Sequence, residues 1–149
     1  MIFEFSTYDP NLVKPMREEA TAIGFREIYT PEEAKENLSK KGYTLVLVNS
    51  VCGCAAGKAR PGLRVAIEKA AQDNILPDGM FTVFAGMEKR ATEEVRKFFT
   101  GYAPSSPQIA LLKDGLLISL LERKDIENSD EFRIGDAVYK LLKEHVKRS

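Results

Sequence analysis

A chain of 149 residues, 44% apolar and 30% charged, is long and apolar enough to form one globular domain with its own buried core. Lys plus Arg matches Asp plus Glu at 22 each, so the formal net charge is zero and nothing in the balance points to nucleic acid or to an anionic membrane surface. No run approaches the ~20 apolar residues of a membrane span, and the first ten residues carry neither the basic region nor the apolar core of a secretory signal. The expected location is the cytoplasm.

In chain order, Met1 to Asp9 reads as an N-terminal arm. A helix is predicted from about Pro10 to Ala22, with Leu12, Met16, Ala20 and Ile23 on one side, Gly24 as its stop, and Pro15 either opening or kinking it. Phe25 to Ile28 reads as a short strand. Thr30-Pro31-Glu32-Glu33 is a helix start, with Thr as N-cap, Pro at the first helical position and Glu three residues past the cap. That helix carries Ala34 and Leu38 and should end near Gly42. Tyr43 to Val48 is an apolar, β-branched-rich run of the kind a buried strand uses.

After it, Gly53, Gly57, Pro61 and Gly62 predict irregular first turns, or a kink at Pro61, in a helix whose stripe is Leu63, Ala66, Ile67 and Ala70 and which runs to about Asp73. Pro77-Asp78-Gly79 is a turn, and Met80 to Ala85 a third strand. Ala91, Val95, Phe98, Phe99 and Tyr102 mark an amphipathic helix, followed by the loop Ala103-Pro104-Ser105-Ser106-Pro107. Gln108 to Leu112 and Leu116 to Leu121 form a hairpin about Asp114-Gly115. Asn128 and Glu131 should box the start of a last helix with Phe132, Val138, Leu141, Leu142 and His145 on its stripe. Alternating helices and strands, then a hairpin and a closing helix, predict an α/β sandwich with a mixed sheet, in a single domain spanning residues 1–149.

Both cysteines, Cys52 and Cys54, fall between the second strand and the third helix. Three readings compete for them. As a structural disulfide, the pair closes so short a loop that the entropic gain is about 1.6 kcal/mol, against roughly 3 for a 15-residue loop, before strain is subtracted. As a zinc site, the chain supplies two thiols and one histidine, His145, where structural zinc wants four ligands. A metal site would therefore have to be shared across a dimer or use a small-molecule thiol, and a metal or iron–sulfur carrier would use the two thiols across a dimer. As an exchange site, the pair meets the requirements better. The unpaired N–H groups and dipole of a helix start favour a thiolate, and a second thiol stands by to resolve a mixed disulfide. Lys58 and Arg60 add positive charge nearby, or else simply form a solvated helix face. Gly53 lets the backbone bend, and Asn49 and Ser50 either donate hydrogen bonds at the site or finish the strand. A redox-sensing interaction module, in which the bridge changes partner choice, is the remaining alternative.

Asn49-Ser50-Val51-Cys52-Gly53-Cys54-Ala55-Ala56-Gly57, followed by Ala59-Arg60-Pro61, resembles the signature of the bacilliredoxins. Pro15-Met16-Arg17, Thr82 to Gly86, Ala103 to Pro107 and Ala110 to Lys113 agree with the same family, so the likeness runs over nearly the whole chain from about Leu12. It implies a thioredoxin-like sandwich: a central mixed five-stranded sheet of order 1-3-2-4-5 flanked by helices, with an extra N-terminal helix. Pro107 would follow a cis peptide bond and face the thiols, with Ser106 beside it shaping the site. Cys52 would be the attacking thiol and Cys54 the resolving one, with no cofactor. The implied activity is removal of bacillithiol, a low-molecular-weight thiol, from S-thiolated cytoplasmic proteins; disulfide isomerisation is also attached to the family. The ordinary thioredoxin Cys-Gly-Pro-Cys is one residue longer, so a different exchange potential is expected, towards a weaker reductant. The Met1–Asp9 arm has no counterpart.

Overall fold

A computed structural model describes residues 6–51 and 53–146, with the backbone alone at Cys54. In chain order it contains α1 (Pro10–Ile23), β1 (Arg26–Glu27), α2 (Pro31–Leu38), β2 (Tyr43–Asn49), α3 (Gly53–Gln72) and β3 (Gly79–Phe84). These are followed by α4 (Lys89–Arg96), β4 (Gln108–Lys113), β5 (Leu116–Leu121), α5 (Arg123–Glu127) and α6 (Glu131–His145). The strands form one sheet in the order β1-β3-β2-β4-β5, as the resemblance implied. β1 and β2 run parallel to β3, whereas β4 runs antiparallel to β2 and to β5.

β2 is the central strand, and its sequence explains why. Successive side chains of a strand point to opposite faces. Leu45 and Leu47 accordingly enter one core with Ala55, Ala59, Leu63, Ala66, Ile134 and Val138, beneath α3 and α6. Val46 and Val48 enter the other with Ala34, Leu38, Ala91 and Val95, beneath α2 and α4. All four strand residues are wholly buried, the pattern of a strand covered on both faces. A third, smaller cluster of Val13, Phe84 and Met87, joined by Tyr8, Met16 and Val51, fastens α1 over the end of β3 and the segment leaving β2. Thr7 N–H donates to Gly86 O at 2.8 Å, so the end of the N-terminal arm is docked there too.

Several boundaries depart from the sequence reading. α3 is helical from Gly53 without a break through its Pro61. Pro61 removes one N–H donor and crowds the carbonyl four residues back, but the burial of Ala55, Ala59 and Leu63 in one core with Leu45 and Leu47 holds the turns around it. α4 stops at Arg96 instead of reaching Tyr102. Phe98 and Phe99 instead bond three residues back, to Val95 O and Arg96 O, in a tightened turn that Gly101 (φ +89°) leaves. The last helix is capped by Asp130, whose carboxylate accepts from Arg133 N–H at 2.8 Å; Asn128 instead ends α5, a helix the sequence reading lacked. Phe132 is 68% exposed and off the α6 stripe, which is Ile134, Gly135, Val138 and Leu142. Leu12 of α1 likewise faces outward, while Val13 and Ala20 are buried.

The cap of α2 forms with one change. Thr30 Oγ1 accepts from Glu33 N–H at 3.1 Å, but the Glu33 carboxylate reaches back to Tyr29 N–H (3.3 Å), one residue before the cap. At the β4–β5 turn, Asp114 and Gly115 both have positive φ (53° and 81°), the conformation a two-residue hairpin demands.

Candidate active site

β2 and β3 run in parallel to the same edge of the sheet, with Asn49 aligned to Phe84. From that edge Ser50 and Val51 lead off, and α3 begins at Gly53. Gly53 N–H donates to Val51 O at 2.8 Å, and Gly53 has φ +39°. A Cβ there would meet nothing within 4 Å, so the glycine answers a backbone requirement, not a lack of room. Cys52 and the Cys54 side chain lie outside the described residues. What the structure describes is the frame around them: a strand end on one side and the first turn of a 20-residue helix on the other.

The strand end is held by a buried polar knot. Arg60, on α3, donates from Nη1 to Asn49 Oδ1 and to Ser50 O, both at 2.9 Å, and from Nε to a Glu19 carboxylate oxygen on α1. Asn49 Oδ1 also accepts from Ser50 N–H at 2.9 Å, and Asn49 Nδ2 donates to Met16 O at 3.2 Å. Asn49 and Arg60 are 2% and 7% exposed. The reading of Arg60 as part of a solvated helix face is therefore overturned. Its guanidinium fork fits the acceptors of a strand end and bridges them to α1. Lys58 turns elsewhere and donates to Glu127 O at 3.1 Å, at the end of α5.

On the other side of β2, the register pairs Val48 with Gln108 at the start of β4. The Ala103–Pro107 loop therefore arrives beside Asn49, where the cysteine segment departs. The Ser106–Pro107 peptide bond is cis, and Pro107 is buried with Ser106 half-buried. The loop is tied from α4: Arg96 Nη2 donates to Ser105 O at 2.7 Å, and Nε to Gln108 Oε1 at 3.3 Å. Gln108 Nε2 in turn reaches Ala103 O at 3.5 Å. Burial pushes the Arg96 guanidinium pKa below its ordinary value. Sequence reasoning missed both residues. The only available signal was a polar Gln opening the apolar run Gln108–Leu112.

Comparison with known proteins agrees with this frame. A family model described as Disulphide isomerase matches residues 8–146. Bacilliredoxins of Staphylococcus aureus strains NCTC 8325 and MRSA252 are each 42% identical over 134 residues, covering 90% of this chain and 90% of theirs. The chain belongs to the bacilliredoxin family. Among solved structures it is similar to oxidised mitochondrial thioredoxin 3 of Saccharomyces cerevisiae, with TM-score 0.54 and 13% identity over 85% of this chain and 98% of that one. Oxidised thioredoxin of Plasmodium falciparum gives TM-score 0.52 and 13% identity over 83% of this chain and all of that one. The bacilliredoxin relatives and the thioredoxin fold together support a thiol–disulfide oxidoreductase role in general terms.

In this bacilliredoxin-family chain, α1 is attached by a second polar group that the sequence did not announce. Arg17 binds Glu88 through two parallel bonds, Nη1–Oε1 at 2.6 Å and Nη2–Oε2 at 2.8 Å, and Glu27 Oε1 at 2.9 Å. Its guanidinium lies 5.2 Å from the Phe84 ring centre. The Glu88 hydrogen bond, foremost, raises the Arg17 pKa still further. Partial burial, and then its hydrogen bond to Glu27, push the Tyr29 phenol up to about 12.

Among the described residues, no group of three His, Cys, Asp or Glu is placed to hold a metal ion, and no helix is long and apolar enough to cross a membrane. His145 ends α6 beside Glu144, at 4.0 Å, and is half-exposed instead of packing in the core. A cavity of about 310 Å³ opens at the other end of β2 and β3, lined by Arg26, Lys40, Lys41, Thr44 and Asp78 among others. It is separated from the cysteine segment by the length of the strands.

Proposed function

We propose that the protein is a dithiol exchange enzyme of the reducing cytoplasm, in which Cys52 attacks and Cys54 resolves. The observation that carries this reading is the position of the Cys52-Gly53-Cys54 segment: it joins the end of the central strand to the first turn of α3, and Cys52 immediately precedes that helix. The aligned peptide dipoles and unbonded N–H groups of a helix start favour the anionic form of a thiol placed there.

For a protein carrying a small thiol R in mixed disulfide, the Cys52 thiolate attacks the sulfur of R. A Cys52–S–S–R bond forms, the old disulfide breaks, and the client leaves as a thiolate. The Cys54 thiolate then attacks the Cys52 sulfur, giving an internal Cys52–Cys54 bridge and releasing R as a thiolate. Two electrons have passed from the cysteine pair to the client disulfide, and two equivalents of an external thiol restore the pair. Bacillithiol is the small thiol this reading names, and S-thiolated or disulfide-bonded cytoplasmic proteins are its clients. The same first step on a client's own disulfide, followed by attack of another client thiol, isomerises that disulfide. Asn49, Ser50, Gly53 and Arg60 shape the thiol segment, and Ser106 and Pro107 form the facing wall.

The test is capture of the intermediate. With Cys54→Ser, incubation with a bacillithiol-modified protein should leave the small thiol on Cys52, seen by intact mass and peptide mapping. An adduct on Cys54 in Cys52→Ser, with Cys52 inert in Cys54→Ser, would reverse the assigned roles.

A further inference from the structure

We infer that Arg96 is a positioning residue for the candidate active site: it holds the Ala103–Pro107 loop beside the end of β2, from which the cysteine segment departs. This inference rests on the exchange reading above for its consequences, but not for its geometry.

Apart from the burial of Pro107, the loop has few bonds of its own. None of the described backbone hydrogen bonds involves Ala103, Ser105 or Ser106. Ser105 Oγ is buried without a partner, so that side chain does not anchor it either. The hydrogen bonds that reach it are those from Arg96 to Ser105 O at 2.7 Å and, long, from Gln108 to Ala103 O at 3.5 Å, and Gln108 is itself oriented by Arg96 Nε. One guanidinium thus fixes the middle of the loop directly and its start indirectly.

The chemistry of Arg96 fits this use better than an ordinary ion-pair role. Its hydrogen-bond partners are a carbonyl and a neutral amide, and no carboxylate pairs with it among the described residues. Burial without an opposite charge lowers its pKa, a direction that works against the charged form. A planar fork is the one side chain that reaches two such acceptors at once from the last residue of α4. Packing of α4 is carried by other residues, Ala91 and Val95, which are wholly buried.

The experiment compares wild type, Arg96→Met, Arg96→Lys and Gln108→Ala in the full chain. Each is assayed with a disulfide-bonded protein such as insulin and with a small aromatic disulfide, alongside iodoacetamide alkylation of the reduced thiols across pH. Arg96→Met should raise KM for the protein disulfide by about tenfold, with kcat, small-disulfide turnover and the alkylation profile within about twofold of wild type. Arg96→Lys should recover part of the loss, since an ammonium reaches one acceptor at a time, and Gln108→Ala should show a smaller rise. NMR relaxation of Ala103, Ser105 and Ser106 should report a loosened loop in Arg96→Met even if the wild type exchanges no disulfide at all, an outcome that would reject the exchange reading alone. Unchanged loop relaxation in Arg96→Met overturns the inference, as does a parallel fall in turnover of both disulfides.

Discussion

The two walls beside the cysteine segment are built in opposite ways. On the α1 side, Asn49 and Arg60 are almost fully buried and share several short bonds with Ser50, Met16 and Glu19, so each group has more than one partner. On the α4 side, a loop with little backbone bonding of its own hangs on one half-buried arginine and on a glutamine bond at the limit of hydrogen-bond length. The first wall is held redundantly, the second by few bonds. In the proposed exchange reading, that division would let the attacking thiol keep its place against a helix start while the opposite wall meets clients of varied shape.

Arg60→Met should therefore do the most damage. It removes the bonds from Arg60 to Asn49 Oδ1, Ser50 O and Glu19 together, leaving Asn49 Oδ1 with its Ser50 N–H donor, and a loss of about 2–3 kcal/mol is expected from the shift in urea midpoint. Asn49→Ala leaves Arg60 two of its acceptors and should cost about 1–2 kcal/mol, with the pair coupled by at least about 0.5 kcal/mol in a double-mutant cycle. Arg96→Met should cost about 1 kcal/mol, less than Arg60→Met, because only a surface loop is released. Equal losses at the two arginines would erase the contrast. Glu19→Gln should change stability by no more than about 1 kcal/mol, since its side chain is 44% exposed. Smallest of all is a spectroscopic effect on the seam of α1. The Tyr29 phenol, pushed up to about 12, should ionise in an absorbance titration well after an ordinary tyrosine. Its raised value means that its contribution to folding is complete below about pH 10 and lost as pH rises through 12.

How much of this was legible depended on whether the signal was local. The Thr30-Pro31 start, the Asp114-Gly115 turn and the run Tyr43 to Val48 encode their structures within a few residues, and each appears where the sequence put it. Phe98 to Tyr102 misled because their apolar spacing continues the α4 pattern, although the chain has already turned towards β4. The irregular first turns expected from Gly53, Gly57 and Pro61 are helical instead, for the reverse reason: burial on the sheet outweighs the local breakers, and no local pattern records it. The cysteine segment and its neighbours Asn49, Ser50 and Arg60 were legible as a motif. For Arg60 the choice between a charge near the site and a solvated face stayed open in the sequence, because its partners, Asn49 and Glu19, are 11 and 41 residues away. Arg17 with Glu88, at a separation of 71, and Arg96 with the loop it holds were invisible for the same reason.

The proposed exchange requires a thiolate at the start of α3. Its most direct test is the rate of iodoacetamide alkylation of each cysteine in the reduced protein, followed by mass spectrometry from pH 4 to 10. Cys52 should react with an apparent pKa well below the ordinary ~8.5 while Cys54 titrates later. Two cysteines that both titrate at or above that ordinary value would contradict it.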